Sequence, residues 1–525
     1  MARNTAIFSI ATGISRIVGL GREVVAASFF GTGGPFSAFT IAYQIPNFVA
    51  QLFANAALSA AFVPVFTELL HQGRRKEALR LASTLFWIML IGLSAITALF
   101  ILGAGVIMPL FAGSSFNVDH GALNTLMVGL SQILFPVVLI LGLNGLLVGI
   151  LQSYDDFTIP AISPAVWNVV ILVLLLLLRP HFHGGYENGD EMHAYAIAIL
   201  VATFVQLLMA FGALGRIDFR LQFAIDWHDP RIRQVFSLML PVTIGLGIVN
   251  LDQLINSIFG TLVSKEAPRA IENAFRVYML PQGLFSVAVA TVLFPTLSRL
   301  AAGRDPAGMR RAVGTGMRQI NLLLIPAAAF IVVLATPIVR LLFQRGNFNA
   351  HSTHLVSIAL FWFAFSLPFG GINLLLTRTF FAVQRPWIPT GLAAMNIVVD
   401  IVLSVGLYKP LGISGLIIGT VVANAVMTAL QLRRLKAGLN GRLEGGQTLM
   451  ITVRIVVASA LLAGISWVVW KLLDTFLGAS LPAEILSVGA AVGAGLYVYV
   501  RAVLVMHIPE AHDVNRLIRA RLGRA

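Results

Sequence analysis

Residues 165–178 read Ala165-Val166-Trp167-Asn168-Val169-Val170-Ile171-Leu172-Val173-Leu174-Leu175-Leu176-Leu177-Leu178, and no charge interrupts the chain from Thr158 to Leu178. About 20 apolar residues suffice to cross a bilayer core as a helix, the one open-chain structure that satisfies its own backbone there. Comparable stretches recur at 6–30, 38–70, 82–112, 123–153, 192–215, 234–263, 270–300, 310–343, 353–383, 387–408, 411–432, 449–473 and 481–506. The expectation is an all-α integral membrane protein with about fourteen transmembrane helices.

Composition excludes the soluble alternative. Hydrophobic residues make up 58% of 525 positions and charged residues 11%, with mean hydropathy +0.88; soluble domains carry roughly 25% charge. The net charge of +14 is spread over short loops rather than gathered in a basic domain, so nucleic acid is not an expected partner. With no cysteine, disulfide and thiolate-metal chemistry are absent. Met1–Thr5 lead straight into an apolar run without a small-residue cleavage site, so no removable signal is expected.

Cytoplasmic loops retain Lys and Arg. One alternate set of loops holds Arg74, Arg75, Lys76 and Arg80; Arg216, Arg220, Arg231 and Arg233; Arg304, Arg310 and Arg311; and Arg433, Arg434, Lys436 and Arg442, and the tail adds Arg516, Arg519, Arg521 and Arg524. The other set has little beyond Arg179, Lys265, Arg269, Arg345 and Lys409. Both termini are therefore expected in the cytoplasm, and the 179–193 loop outside.

Two segments repeat. Ile45-Pro46-Asn47 leads into Phe62-Val63-Pro64, much as Leu280-Pro281-Gln282 leads into Leu293-Phe294-Pro295, and Pro136, Asn144, Pro160 and Asn168 have counterparts in Pro368, Asn373, Pro389 and Asn396. This predicts two pseudo-symmetric six-helix lobes, an N-lobe over 1–215 and a C-lobe over 216–440, with two extra helices and a basic tail over 441–525.

Charges inside a bilayer cost on the order of 2.5–3.5 kcal/mol each on insertion scales and usually mark a substrate path. The first span carries Ser15-Arg16-Ile17-Val18-Gly19-Leu20-Gly21-Arg22-Glu23, the second Gln44, Pro46 and Asn47, and the eighth Arg276. Arg16 and Glu23 share a helix face, whereas Arg22 joins them only if Gly19 and Gly21 let the helix bend. Arginine forks bind phosphate oxygens bidentately, so Ser15, Arg16, Arg22, Glu23, Asn47 and Arg276 form a candidate anion site. Alternatively, Arg16 pairs structurally with Glu23, and Arg276 lies near a membrane edge. A second constellation combines Asn396 and Asp400, four apart on one face, with Asp252 and Thr420. These are hard oxygen ligands for an alkali cation or a proton; alternatively the acids pair with arginines or stay protonated. His181, His183 and His193, and the pair Asp155-Asp156, read as solvated loop and turn. No nucleotide-binding loop stands out.

At these residues the chain resembles the MurJ (MviN) lipid II flippases of the multidrug/oligosaccharidyl-lipid/polysaccharide exporter superfamily. The resemblance is carried by Ser15 through Glu23, Ile45-Pro46-Asn47, Arg276 through Pro281-Gln282-Gly283, and Asn396-Ile397-Val398-Val399-Asp400. It implies a transporter, not an enzyme, that exports undecaprenyl-pyrophosphate-linked peptidoglycan precursor across the bacterial cytoplasmic membrane. It implies essential arginines at Arg16, Arg22 and Arg276, and a sodium site at Asp252, Asn396, Asp400, Thr420 and the Leu416 carbonyl. The terminal helices are implied to form a groove for the lipid tail. Lipid II, membrane lipids and the cell-wall synthesis machinery are the implied partners, and Na+ the implied coupling ion with no covalent cofactor. Ser37, Gln44, Ala50, Gln51, Asn55 and Met279 stand where many members carry charge. Those departures leave room for another lipid-linked oligosaccharide as cargo. A cation-coupled drug exporter would favour acids and aromatics over three arginines, and a polyprenyl-phosphate glycosyltransferase would need a catalytic acid or base.

Overall fold

The computed structural model describes residues 2–512 except 54, 118–120, 183–188, 218, 220, 224, 225, 227, 228, 440–443 and 479; for 2–12, 53, 55–61 and most of 238–250 it describes the backbone alone. Among the sequence features above, Met1, His183, Arg220, Arg442, the tail arginines and the side chain of Asn55 lie outside the described set. The described residues form helices joined by short turns and loops, without a strand.

Packing divides the chain into two compact units, residues 1–269 with 345–348, and residues 270–344 with 349 onward. The first contains α1 (Ala2–Phe30), α2 (Gly34–Phe53), α3 (Asn55–His71), α4 (Arg75–Ile107), α5 (Ala122–Leu134), α6 (Pro136–Ser153), α7 (Thr158–Leu178), α8 (Glu191–Leu214) and α9 (Pro230–Val263). Repeat symmetry put the lobe boundary after 215; packing carries the first unit one helix further, because α9 lies against α2 and α3. Pro136 has no N–H to donate, which is why the expected 123–153 span is jointed into α5 and α6. Asp229 caps α9, its Oδ1 accepting the Arg231 N–H at 2.9 Å, with Pro230 at the first helical position. The core around Phe30, Phe36, Phe39 and Tyr195 is aromatic, with Phe39 and Tyr195 stacked at 4.6 Å. Segment 345–348 belongs here because it closes the end of α1: the Asn347 N–H donates to the Ser28 carbonyl at 2.8 Å and its amide to that of Phe29 at 2.6 Å. Gly346 has φ +58°, and a Cβ there would meet the Ser28 carbonyl at 2.3 Å.

The second unit holds α10 (Ala267–Pro281) beyond its first turn, α11 (Val287–Ala302), α12 (Pro306–Phe343), α13 (Ala350–Ala382), α14 (Trp387–Leu411), α15 (Ile413–Gly438), α16 (Gly445–Leu477) and α17 (Leu481–Val505). Between α10 and α11, Gln282–Ser286 forms a π-helical turn directly after Pro281, where the missing N–H disturbs the ladder. The two terminal helices are fastened to α12 along its length. Arg340 pairs with Asp474 and Glu484, Arg318 with Glu444 and Glu510, and the Tyr499 hydroxyl donates to the Leu322 carbonyl at 2.6 Å.

The polarity of α14 is inverted relative to a soluble helix. Its buried residues are Pro389, Asp400 and Ser404, whereas Val398, Val402 and Val405 are more than half exposed. A helix that turns its carboxylate inward and its valines outward is solvated by lipid on the outer face. Eleven helical segments among the described residues are long and apolar enough to cross a membrane. The protein is thus a multi-pass membrane protein, with eleven such segments among the described residues against the about fourteen expected. The expected spans 6–30, 38–70 and 234–263, which carry Arg16, Arg22 and Glu23, Gln44 and Asn47, and Asp252, each include residues outside the described set or described by backbone alone, and are not among the eleven.

Candidate functional site

In the first unit, α1 runs unbroken from Ala2 to Phe30 through Gly19 and Gly21. Gly19 serves contact: a Cβ there would lie 3.5 Å from the Asn168 amide of α7. On an unbroken helix Arg16 and Arg22, six residues apart, point to different sides. Arg16 is exposed and Ser15 half-buried, while Arg22 and Glu23 are buried.

The considered pair of Arg16 with Glu23 is not formed. Glu23 instead accepts from Arg22 on one carboxylate oxygen and from Arg269 Nη2 at 2.6 Å on the other. Arg22 sits 4.9 Å over the Trp167 ring and Arg269 3.7 Å over Phe36, so both guanidiniums exchange water for an aromatic face and a carboxylate. The Arg269 N–H also donates to Ser37 Oγ at 3.3 Å. Arg269 had been read as an external loop cation; at 3% exposure it is a buried ion-pair partner. The signal available in the sequence was its spacing of seven from Arg276, with Glu272 between them. Asn47 and Gln44 are half-buried on α2 beside Pro46.

In the second unit, Arg276 is half-buried and donates to Glu272 Oε1, one turn earlier, at 2.8 Å. Asp400 is fully buried, and the Thr420 hydroxyl lies 3.2 Å from its Oδ1 and 3.5 Å from the Leu416 carbonyl. Three hard oxygen donors thus converge on one spot between α14 and α15, a donor set that fits an alkali cation. The helices approach closely there because Gly419 is small: a Cβ would come within 3.0 Å of Asp400 Oδ1 and 3.1 Å of Ser404 Oγ. Asn396 joins the cluster through a neighbour that sequence reasoning missed. Its Nδ2 lies 3.4 Å from Asn424 Oδ1, and Asn424 donates to Ser366 Oγ at 3.2 Å. Asn373, singled out only as a repeat position, contacts the Asn424 carbonyl at 3.2 Å and accepts from Thr428 Oγ1 at 2.7 Å. The clue was the run Thr420, Asn424, Thr428 at one-turn intervals on α15. Asp252 lies on α9 of the first unit, half-buried, with its carbonyl accepting from Asn256 at 3.1 Å.

Elsewhere, His181 and His193 bond backbone carbonyls of their own segments at 3.0 and 3.2 Å. An apolar cavity of about 510 Å³ lies between α12, α13 and α16, walled by Ile325, Ala329, Val332, Phe365, Pro368 and Val456.

The model of the family described as lipid II flippase MurJ matches residues 26–486. A probable lipid II flippase MurJ of Rhizobium meliloti is 29% identical over 493 residues, covering 92% of this chain and 90% of its own. The lipid II flippase MurJ of Burkholderia cenocepacia is 28% identical, covering 86% and 87%. Among solved structures, a lipid II flippase MurJ in an inward closed conformation superposes with a TM-score of 0.78 at 22% identity, covering 96% of this chain and 99% of that one. An inward-facing multidrug resistance MATE transporter of the MOP superfamily superposes at 0.64 with 16% identity, over 81% and 94%. The fold is therefore that of this superfamily, whose members named here are transporters rather than enzymes. With the family match running over most of its length, the chain belongs to the MurJ lipid II flippase family.

Proposed function

We propose that the protein carries lipid II, the undecaprenyl-pyrophosphate-linked peptidoglycan precursor, from the inner to the outer leaflet of the bacterial cytoplasmic membrane by alternating access. The observation that carries this reading is the division of labour on α1. Glu23 engages Arg22, whereas Arg16, nearly two turns earlier, is exposed and has no carboxylate partner among the described residues. A guanidinium left without an acid on a membrane helix suits a diphosphate. Arg276 supplies the matching cation from the other repeat, and Ser15 and Asn47 supply neutral hydrogen bonds. The apolar cavity beside α16 suits the polyprenyl tail.

A potential negative inside drives an anion outward by about 2.3 kcal/mol per charge per 100 mV, so export needs no ATP. Na+ at Asp400, Thr420 and the Leu416 carbonyl, with Asn396 and Asp252 as further ligands, would bias the return step by its different affinity for the two conformations. The basic loops support a topology with both termini in the cytoplasm, where the cell-wall synthesis machinery would be accessible.

The test is exposure of lipid II on cells depleted of their own flippase, read with an external enzyme that cleaves only exposed lipid II. Wild type should restore cleavage, and Arg16→Ala and Arg276→Ala should each lower it by at least tenfold at matched expression, the loss of one charge-assisted contact to phosphate. A well-folded wild type that restores nothing would redirect the reading to another lipid-linked oligosaccharide.

A further inference from the structure

A second cavity, of about 520 Å³, opens at one end of the second unit between the start of α12, the end of α15 and the start of α16. Arg310, Arg433 and Lys436 line it, and none of the three has a carboxylate partner among the described residues. The one acid in its wall, Glu444, is engaged by Arg318 at 3.1 Å and leaves the three cations uncompensated. Arg310 donates to the Leu439 carbonyl at 3.4 Å, which holds its guanidinium at the rim.

Behind the rim the walls turn apolar, with Val313, Met317, Leu432 and Leu449. The cavity runs along α12 from Arg310 to Asn321, about 16 Å at the helical rise. That is much deeper than a bare phosphate needs. At its inner end Asn321 is 4% exposed, and its Oδ1 has no hydrogen-bond partner while its Nδ2 donates to Thr452 at 2.9 Å. Next to the mouth, α16 presents Leu449, Met450, Val453 and Val457 outward, each about half exposed or more, as a track for acyl chains.

We propose that this cavity is a binding site for an anionic phospholipid, with its phosphate among Arg310, Arg433 and Lys436 and its chains against the apolar wall and the outer face of α16. Charge complementarity selects the anionic headgroup, and depth selects an amphiphile over a free ion. The rim residues belong to the loops expected on the cytoplasmic side, where anionic lipids attract juxtamembrane cations. None of its lining residues is Arg16, Arg22 or Arg276, and although Asn321 and Thr452 also line the apolar cavity beside α16, the cationic rim stands whether or not the cargo is lipid II.

The test is native mass spectrometry of the full-length protein released from micelles containing phosphatidylglycerol or phosphatidylcholine at equal concentration. Wild type should retain phosphatidylglycerol in preference. Arg433→Gln/Lys436→Gln should weaken that retention about 30-fold, as expected for two phosphate-facing cations. The control Arg311→Gln/Arg434→Gln removes the same charge from exposed neighbours that do not line the cavity and should stay within about twofold of wild type. Equal losses in both double variants, equal retention of the two lipids, or displacement of phosphatidylglycerol by millimolar inorganic phosphate would each overturn the proposal. Circular dichroism of each variant separates loss of binding from loss of fold.

Discussion

The buried contact between Glu23 and Arg269 permits a quantitative test. At 2.6 Å, with an effective dielectric constant near 20, the gross attraction is about 6 kcal/mol. Both side chains are about 3% exposed, so salt screens little, and desolvation offsets a large part of the gain. A net coupling of about 2–3 kcal/mol remains, comparable to other charge-assisted hydrogen bonds. The perturbation is a double-mutant cycle of Glu23→Gln, Arg269→Gln and the pair, read by detergent-solubilised thermal unfolding and chemical denaturation. Glu23→Gln should be the more damaging single change, because it strips the partner from both Arg22 and Arg269. Arg269→Gln leaves Glu23 with Arg22. The double variant should be milder than the sum of the singles by that coupling. Additivity within about 0.5 kcal/mol would refute the ion pair as a structural element of the first unit.

Two further outcomes follow from the second unit. Asp400→Asn should alter both the conformational distribution, measured by distance labels across the lobes, and export. Gly419→Val should reproduce that effect without touching the carboxylate, by pressing a Cβ and its methyls into Asp400 Oδ1 and Ser404 Oγ; unchanged export in both would remove Asp400 from the mechanism. Arg340→Ala should destabilise the packing of α16 and α17 on α12 by about 3–5 kcal/mol, leaving Asp474 and Glu484 together without their cation. Limited proteolysis between α16 and α17 would detect the loosening, and wild-type resistance in the variant would argue that apolar packing alone holds the terminal helices.

The membrane class, the helical fold and the family were already decided by the order of residues. Apolar runs of span length, basic loops and proline-marked motifs are local or periodic properties that need no knowledge of neighbours. Sequence spacing also puts Arg16 and Arg22 on different sides of an unbroken helix, because residue offset alone sets which residues share a face. What only the tertiary structure decided is who meets whom. Arg269 looked like any loop cation, and its burial against Glu23 and Phe36 depends on contacts made hundreds of positions apart. Asn424 looked like an ordinary polar residue until α13, α14 and α15 packed around it. The cationic cavity required the ends of three helices to meet. In a bilayer, lipid satisfies apolar surface on any side, so hydropathy marks that a helix is inserted but not which face turns inward. The inward faces are set by where buried charges and amides find one another, and that is a property of the packed chain.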